Sequence, residues 1–398
     1  MLSVEDALAR MLSRADPIGV ESVDTLGAHG RVLAADVLSP LDVPPLDNSQ
    51  MDGYAVRTVD VPATGTTLRV SQRIAAGHPG TPLEPGTAAR IFTGAPVPPG
   101  ADAIVMQELA VAQGDRVTLQ EVPRRGAWIR RAGLDVAAGD VVVGAGTRLG
   151  AQHAGLIAAV GAARVTVHRP LRVAVFFTGD ELAMPGEALA PGRIYNSNRF
   201  VLRALLQQLG CEVTDLGIVP DDRARTRAAF AAASATADLI ITSGGVSVGE
   251  EDHIKPAVEA EGELELWQIA MKPGKPVAFG RVRDVPFIGL PGNPVSSFVT
   301  FLLFARPFVL RRQGVRDVDA PAYTLRADFD WLKPDRRREF LRVRRNEQQG
   351  LDLFPTQNSG VLTSTVWADG LADVPAGSAV ARGDIVRYLS FADLLNSR

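Results

Sequence analysis

The chain is 398 residues long, with 46% hydrophobic residues, 22% charged residues and a formal net charge of −3. That balance excludes a disordered or membrane-embedded chain, the charge argues against a nucleic-acid partner, and the length divides into roughly two to four domains. The single cysteine, Cys211, excludes an intrachain disulfide and a cysteine-based zinc cluster and fits a reducing cytoplasm, while His29, His78, His153, His168 and His253 lack the HxxxH spacing of a metal site.

The start, MLSVEDALARMLSRA, predicts an amphipathic helix capped by Ser3 and ended before Pro17, not a signal peptide. A short strand is expected over 31–37. The Pro-rich link SPLDVPPLDNSQMDGYAV then breaks regular structure, and its Asp52-Gly53 turn leads into a strand over 54–57. From there to about 136, short apolar runs separated by Gly and Pro predict a small all-β domain. The GAGTRLG run has GxGxxxG spacing and no acid about 20 residues on, so it reads as a structural turn between a strand at 141–143 and a helix at 151–160.

From Arg172 the pattern changes to alternating strands and helices: RVAVFF, SNRFVLRALLQQLG, EVTDLGIV, RARTRAAFAAASA, DLIIT, VPFIGL and VSSFVTFLLFARPFVL. This predicts a doubly wound parallel sheet. The remainder returns to short alternating runs, a second small β domain or barrel, in which the arginines of RRREFLRVRR read as a solvated strand face. No run approaches the 18 or so uninterrupted apolar residues of a membrane span. The expected architecture is therefore α/β plus all-β: a central doubly wound domain at 171–314, β domains at 41–136 and 315–398, and an extended segment from 1–40 and 137–170.

In such sheets ligands bind outside the carboxyl ends of the strands. Those ends carry Thr178 to Glu181, Pro220 with Asp221 and Asp222, Ser243 with Gly244 and Gly245, and Pro291 to Pro294. Around LIITSGGVSVGEEDHIK, a Gly-Gly turn can let backbone N–H groups approach a phosphate, with magnesium between the phosphate and acids such as Asp252. An ordinary turn with solvated acids is the alternative. Lys272 and Lys275 of MKPGKP can form an oxyanion clamp or a solvated turn.

Long motifs resemble the molybdopterin molybdenumtransferase family, which is also similar to the C-terminal half of gephyrin. They are TGDEL, IYNSNRF, TSGGVSVGEEDHIK, MKPGKPVAFG and GLPGNPVSSF, preceded by PPLDNSQMDGYAVR, RIFTGAPVPPGADAIVMQE and RRAGLDVAAGD. The resemblance spans essentially the whole chain. It implies an elongated homodimer, with the extended segment in dimerisation and 171–314 as a molybdopterin-binding-like domain. The substrate cleft would lie between the α/β domain of one subunit and the β domains of the other. Adenylylated molybdopterin and molybdate would become molybdenum cofactor and AMP with a divalent cation, in the cytoplasm, after transient contact with the molybdopterin adenylyltransferase.

By motif, Asp52, Thr93, Asp135, Glu181, Asp221 or Asp222, Asp252, Lys272 and Lys275 would face that cleft, together with Arg342 and Ser364 of the last domain. There QNSG at 357–360 departs from the common QGSG. In this reading Glu181 and Asp252 hold Mg2+ on the phosphates, Gly244 and Gly245 cradle them, and the lysines draw in molybdate and steady AMP. A molybdopterin adenylyltransferase and a non-catalytic gephyrin-like scaffold are the competing expectations.

Overall fold

The strand Arg172–Thr178 buries six consecutive residues after its first, which only a strand covered on both faces can do. In the computed structural model, which describes residues 1–245 and 254–395, it lies within a six-stranded sheet. The order is Glu212–Val219, Arg172–Thr178, Leu239–Ser243, Val285–Leu290, Pro276–Val282 and Gly262–Gln268. Neighbours pair in parallel through Val285–Leu290, and the last two strands are antiparallel. The sheet is thus mixed where the sequence predicts a parallel one, because Arg283 and Asp284 turn the chain back as a tight hairpin.

Side chains of Arg172–Thr178 alternate between two cores. Val173, Val175 and Phe177 face the helix Ser197–Gln208 and the long helical run from Pro294 to Arg312. Ala174 and Phe176 face the helices Arg223–Thr236 and Ile254–Glu259, where Phe230 sits edge-on to Phe176 and Phe287 at 5.0 and 5.2 Å. The run Pro294–Arg312 is long and apolar enough to cross a membrane, and it is mostly buried inside the fold. The helix Val4–Leu12, capped by Ser3 accepting from Asp6 N at 3.0 Å, lays Ala7 and Met11 into the same core.

Residues distant in sequence then meet. Val20–Asp24 pairs with Arg164–His168, and Val37–Leu38 with Val141–Val143, over a core that includes Ile157 of the helix Ala151–Ala159. Only Val37–Leu38 is a strand in the region expected to be one from 31, since Val32 and Leu33 make isolated bridges. The Gly144 to Thr147 stretch is a turn leading into the helix. Between these segments a six-stranded sheet runs in the order Ala103–Met106, Gly53–Val56, Thr87–Ile91, Thr67–Ile74, Arg116–Leu119 and Ala110–Gln113.

The C-terminal sheet closes on itself, because Arg338–Arg345 pairs with both Gly350–Leu353 and Gly370–Val374. Met271–Lys272 joins its edge in parallel with Arg338–Arg345, tying the α/β domain to the barrel. Arg342 is 1% exposed, on the strand face it shares with Phe340 and opposite Leu341 and Val343, which fill the barrel; the 357–364 stretch covers it, so it is not on a solvated strand face.

Candidate active site

The carboxyl ends of the parallel strands surround a cavity of about 690 Å³. Its wall includes Glu181, Asp221, Ser243, Gly244, Gly245 and the Pro291 to Pro294 turn. Close approach explains the glycines. Gly244 has φ +98°, and a Cβ there would stand 2.4 Å from the Thr178 carbonyl oxygen. Gly179 has φ +143°, and a Cβ there would meet the Glu181 carboxylate at 2.5 Å, so that carboxylate folds back over the turn. The Gly244 N–H donates to Leu290 O at 3.1 Å and is thereby engaged within the sheet end, while Gly245 has φ +62°.

Hydrogen bonds brace the loops against one another. The Asp180 N–H donates to Asp221 Oδ2 and the Asp221 N–H to Asp180 Oδ1, both at 3.2 Å. Ser243 Oγ donates to Pro291 O at 2.9 Å and is 3% exposed, which makes it a strut between two strand ends. Asn198, which the sequence reading passed over inside IYNSNRF, donates through Nδ2 to Ser243 Oγ and Gly292 O, each at 2.8 Å. Asp222 turns away to cap the next helix, accepting from Arg225 N at 2.8 Å. Pro294 occupies the first helical position, where its missing N–H costs nothing. Asp252 lies outside the described residues.

The lysines separate. Lys272 Nζ donates to Glu339 Oε1 at 2.9 Å, lies 3.7 Å from Asp335, and sits 5.7 Å from the Trp331 ring centroid. Glu339 is almost wholly buried and also accepts from Trp331 Nε1 at 2.7 Å. Lys275 is exposed, and its neighbour Pro276 lines the cavity. Gly274, at φ +106°, packs against Thr300 so closely that a Cβ would lie 2.4 Å from its Oγ1.

The C-terminal domain reaches the same cavity through Gly360, beside Ser359, whose carbonyl accepts from Val295 N at 3.0 Å. Behind this loop the Arg342 guanidinium donates to Ser364 Oγ at 3.3 Å, Phe340 O at 3.3 Å and Asn358 O at 3.4 Å. Burial pushes its pKa down to about 10. The departure QNSG has a local reason: Asn358 Oδ1 accepts from Gly360 N at 2.8 Å, so its side chain closes the turn.

The β-domain residues form a separate group, and none of them lines the cavity within the same chain. Asp52 Oδ1 accepts from Thr93 N and Thr93 Oγ1, both at 2.8 Å, which with the nearby Arg90 holds the carboxyl below its usual range. Arg90 stacks on Phe92 at 4.5 Å and lies 5.2 Å from the Tyr54 ring centroid, and it donates to Gly53 O at 2.9 Å. Asp135 is exposed, with its N–H bonded to Val43 O at 2.9 Å.

A pocket lined by glycines and carboxylates at the carboxyl rim of an α/β sheet, with a closed β-sheet beside it, marks a multidomain protein with a small-molecule site where such sheets bind ligands. Three family profiles tile the chain: the MoeA N-terminal region (domain I and II) over 2–161, a probable molybdopterin binding domain over 174–311, and the MoeA C-terminal region (domain IV) over 324–391. The molybdopterin molybdenumtransferase of Haemophilus influenzae is 44% identical over 81% of this chain and 80% of its own. Molybdopterin molybdenumtransferase 2 of Mycobacterium tuberculosis is 38% identical over 94% and 96%. A crystal structure of the molybdopterin biosynthesis MoeA protein of Pyrococcus horikoshii OT3 superposes with a TM-score of 0.86 at 27% identity, covering 98% of this chain and all of that one. The chain belongs to the MoeA family of molybdopterin molybdenumtransferases.

Proposed function

We propose that this protein is a molybdopterin molybdenumtransferase that takes adenylylated molybdopterin and molybdate and yields molybdenum cofactor and AMP. The observation that carries this reading is the cavity itself, whose lining brings together Glu181, Asp221, Gly245 and the Pro291 to Pro294 turn. Such a pocket suits a phosphoanhydride whose charge must be neutralised while its backbone-contacting part is approached closely.

The two carboxylates fit Mg2+, a hard cation that keeps several waters and needs one or two such ligands. Glu181 and Asp221, with Asp252 as the further candidate, would hold the ion, which supplies charge neutralisation at the phosphates when bound. Lys275 and the buried Arg342 attract the dianionic molybdate, and Lys272 fixes the junction of the α/β domain and barrel through Glu339. Ser364 orients Arg342. No side chain needs to act as a nucleophile.

Asp52, Thr93 and Asp135 enter the reaction from a second subunit of a homodimer. Leu26, in the turn after Val20–Asp24, and Leu38, 99% and 57% exposed, give that dimer apolar surface to bury. The reaction runs in the cytoplasm, with the pterin received from an adenylyltransferase. The test is direct: purified protein with adenylylated molybdopterin, magnesium and molybdate releases AMP, and omission of molybdate stops the release. No AMP under the complete mixture sinks the assignment.

A further inference from the structure

Among the described residues, three that are not glycine hold φ in the left-handed region: Trp128 at 55°, Arg283 at 53° and Gln349 at 60°. Arg283 and Gln349 sit in the turns joining Pro276–Val282 to Val285–Leu290 and Arg338–Arg345 to Gly350–Leu353, where hairpin geometry demands positive φ. Trp128 joins no hairpin. It ends a turn and enters the two-residue strand Ile129–Arg130, whose partner is the distant Asn48–Ser49. A bulky side chain in this conformation is an outlier, and asparagine or glycine would occupy it at less cost.

The position is close to the β-domain group of the proposed site. Trp128 O accepts from Gln50 N at 2.9 Å, two residues before Asp52. Ile129 stands opposite Ser49, whose carbonyl accepts from Gly94 N at 2.9 Å, next to Thr93. Its side chain is 40% exposed, and among the described residues no hydrogen bond or stacked ring engages the indole. Arg124, Arg125, Arg130 and Arg131 flank it in sequence, all of them exposed; Arg131 pairs with Asp47 and Arg125 lies 3.7 Å from Asp102, which leaves Arg124 and Arg130 as the cations without a carboxylate among the described residues.

We infer that Trp128 is an aromatic platform on which the flat heterocycle of the substrate stacks, offered by the β domain of one subunit to the rim cavity of the other. Strain held at a functional position is then part of how the indole is aimed. This rests on the function proposed above and adds an apolar contact to a site otherwise built from charge. Purine and pterin share the required chemistry, so both are tested.

Kinetics on the full-length dimer compare Trp128→Asn, which accepts the left-handed backbone, with Trp128→Phe, which keeps a ring. Trp128→Asn raises the KM for adenylylated molybdopterin about tenfold, the usual size of one lost stacking contact, while Tm stays level or rises by about 1–2 °C as strain is relieved. Trp128→Phe keeps KM within about threefold of the wild type. Fluorescence does not depend on turnover: AMP and a reduced pterin are added separately, and quenching present in the wild type but absent in Trp128→Phe names the stacked ring. A wild-type KM in Trp128→Asn, or no Trp128-dependent quenching by either compound, overturns the inference. A wild-type protein that releases no AMP yet shows such quenching would overturn the proposed reaction and leave the platform standing.

Discussion

Arg342 illustrates what a single residue can and cannot disclose. Strand alternation puts Arg338, Phe340, Arg342 and Arg344 on one face, and nothing in RRREFLRVRR separates the buried arginine from the exposed one. The separation comes from the 357–364 stretch, 15 or more residues further on, which supplies Asn358 O and Ser364 Oγ. Among the described residues no carboxylate pairs with this guanidinium, and its hydrogen bonds of 3.3 to 3.4 Å are long. A buried cation so weakly compensated adds little to stability. Arg342→Met is therefore expected to change unfolding free energy by less than about 1 kcal/mol. The same variant should raise the KM for molybdate about tenfold, since a positive charge buried behind the cavity's Gly360 loop is lost. A large loss of stability with an unchanged KM for molybdate would assign Arg342 to the barrel alone.

At the scale of elements, the strands of the α/β unit were legible where both faces are covered, as in RVAVFFT and LIITS, because uninterrupted apolar runs bounded by Gly or acids have few other solutions. The antiparallel pair Gly262–Gln268 and Pro276–Val282 was less so. GELELWQ alternates charge with apolar residues and could have belonged to any surface strand. What anchors the central strands was also hidden: Asp238, just before Leu239–Ser243, accepts from Arg169 at 2.7 and 2.7 Å and from Arg172 at 3.0 and 3.2 Å. Burial pushes the Asp238 carboxyl up, but the bonds from the two arginines outweigh it and hold it well below 3.8. A depressed carboxylate stabilises the fold above its unfolded value and loses that contribution as pH falls through the folded one. Asp238→Asn should cost about 1–3 kcal/mol at pH 7, discounted because both arginines are partly exposed. In chemical denaturation from pH 7 to pH 3, the gap between wild type and variant stays constant to about pH 4 and narrows below it. A gap that widens in acid would show that Asp238 is not the group being titrated.

Over the whole molecule, the order of β, α/β and β regions was readable from the change of apolar period, whereas a cleft shared between subunits entered only through the family resemblance. The rim cavity contains Glu181, Asp221 and Gly245, while Asp52, Thr93 and Asp135 stand outside its lining. The proposed homodimer would reconcile the two groups, since a C2 dimer would build two equivalent clefts, each with a rim from one subunit and a β domain from the other. This arrangement makes a demand that no single-chain site makes. Asp52→Asn and Glu181→Gln homodimers should each be inactive in molybdate-dependent AMP release. When the two are mixed and allowed to exchange subunits, a heterodimer carries one cleft with both native acids and one with neither. Random exchange of equal amounts makes half the dimers mixed, so activity should return to about a quarter of the wild-type value. Cross-linking the homodimers before mixing should prevent that recovery. If Asp52 instead served the cavity of its own chain, every cleft in the mixture would lack one acid, and subunit exchange would restore nothing.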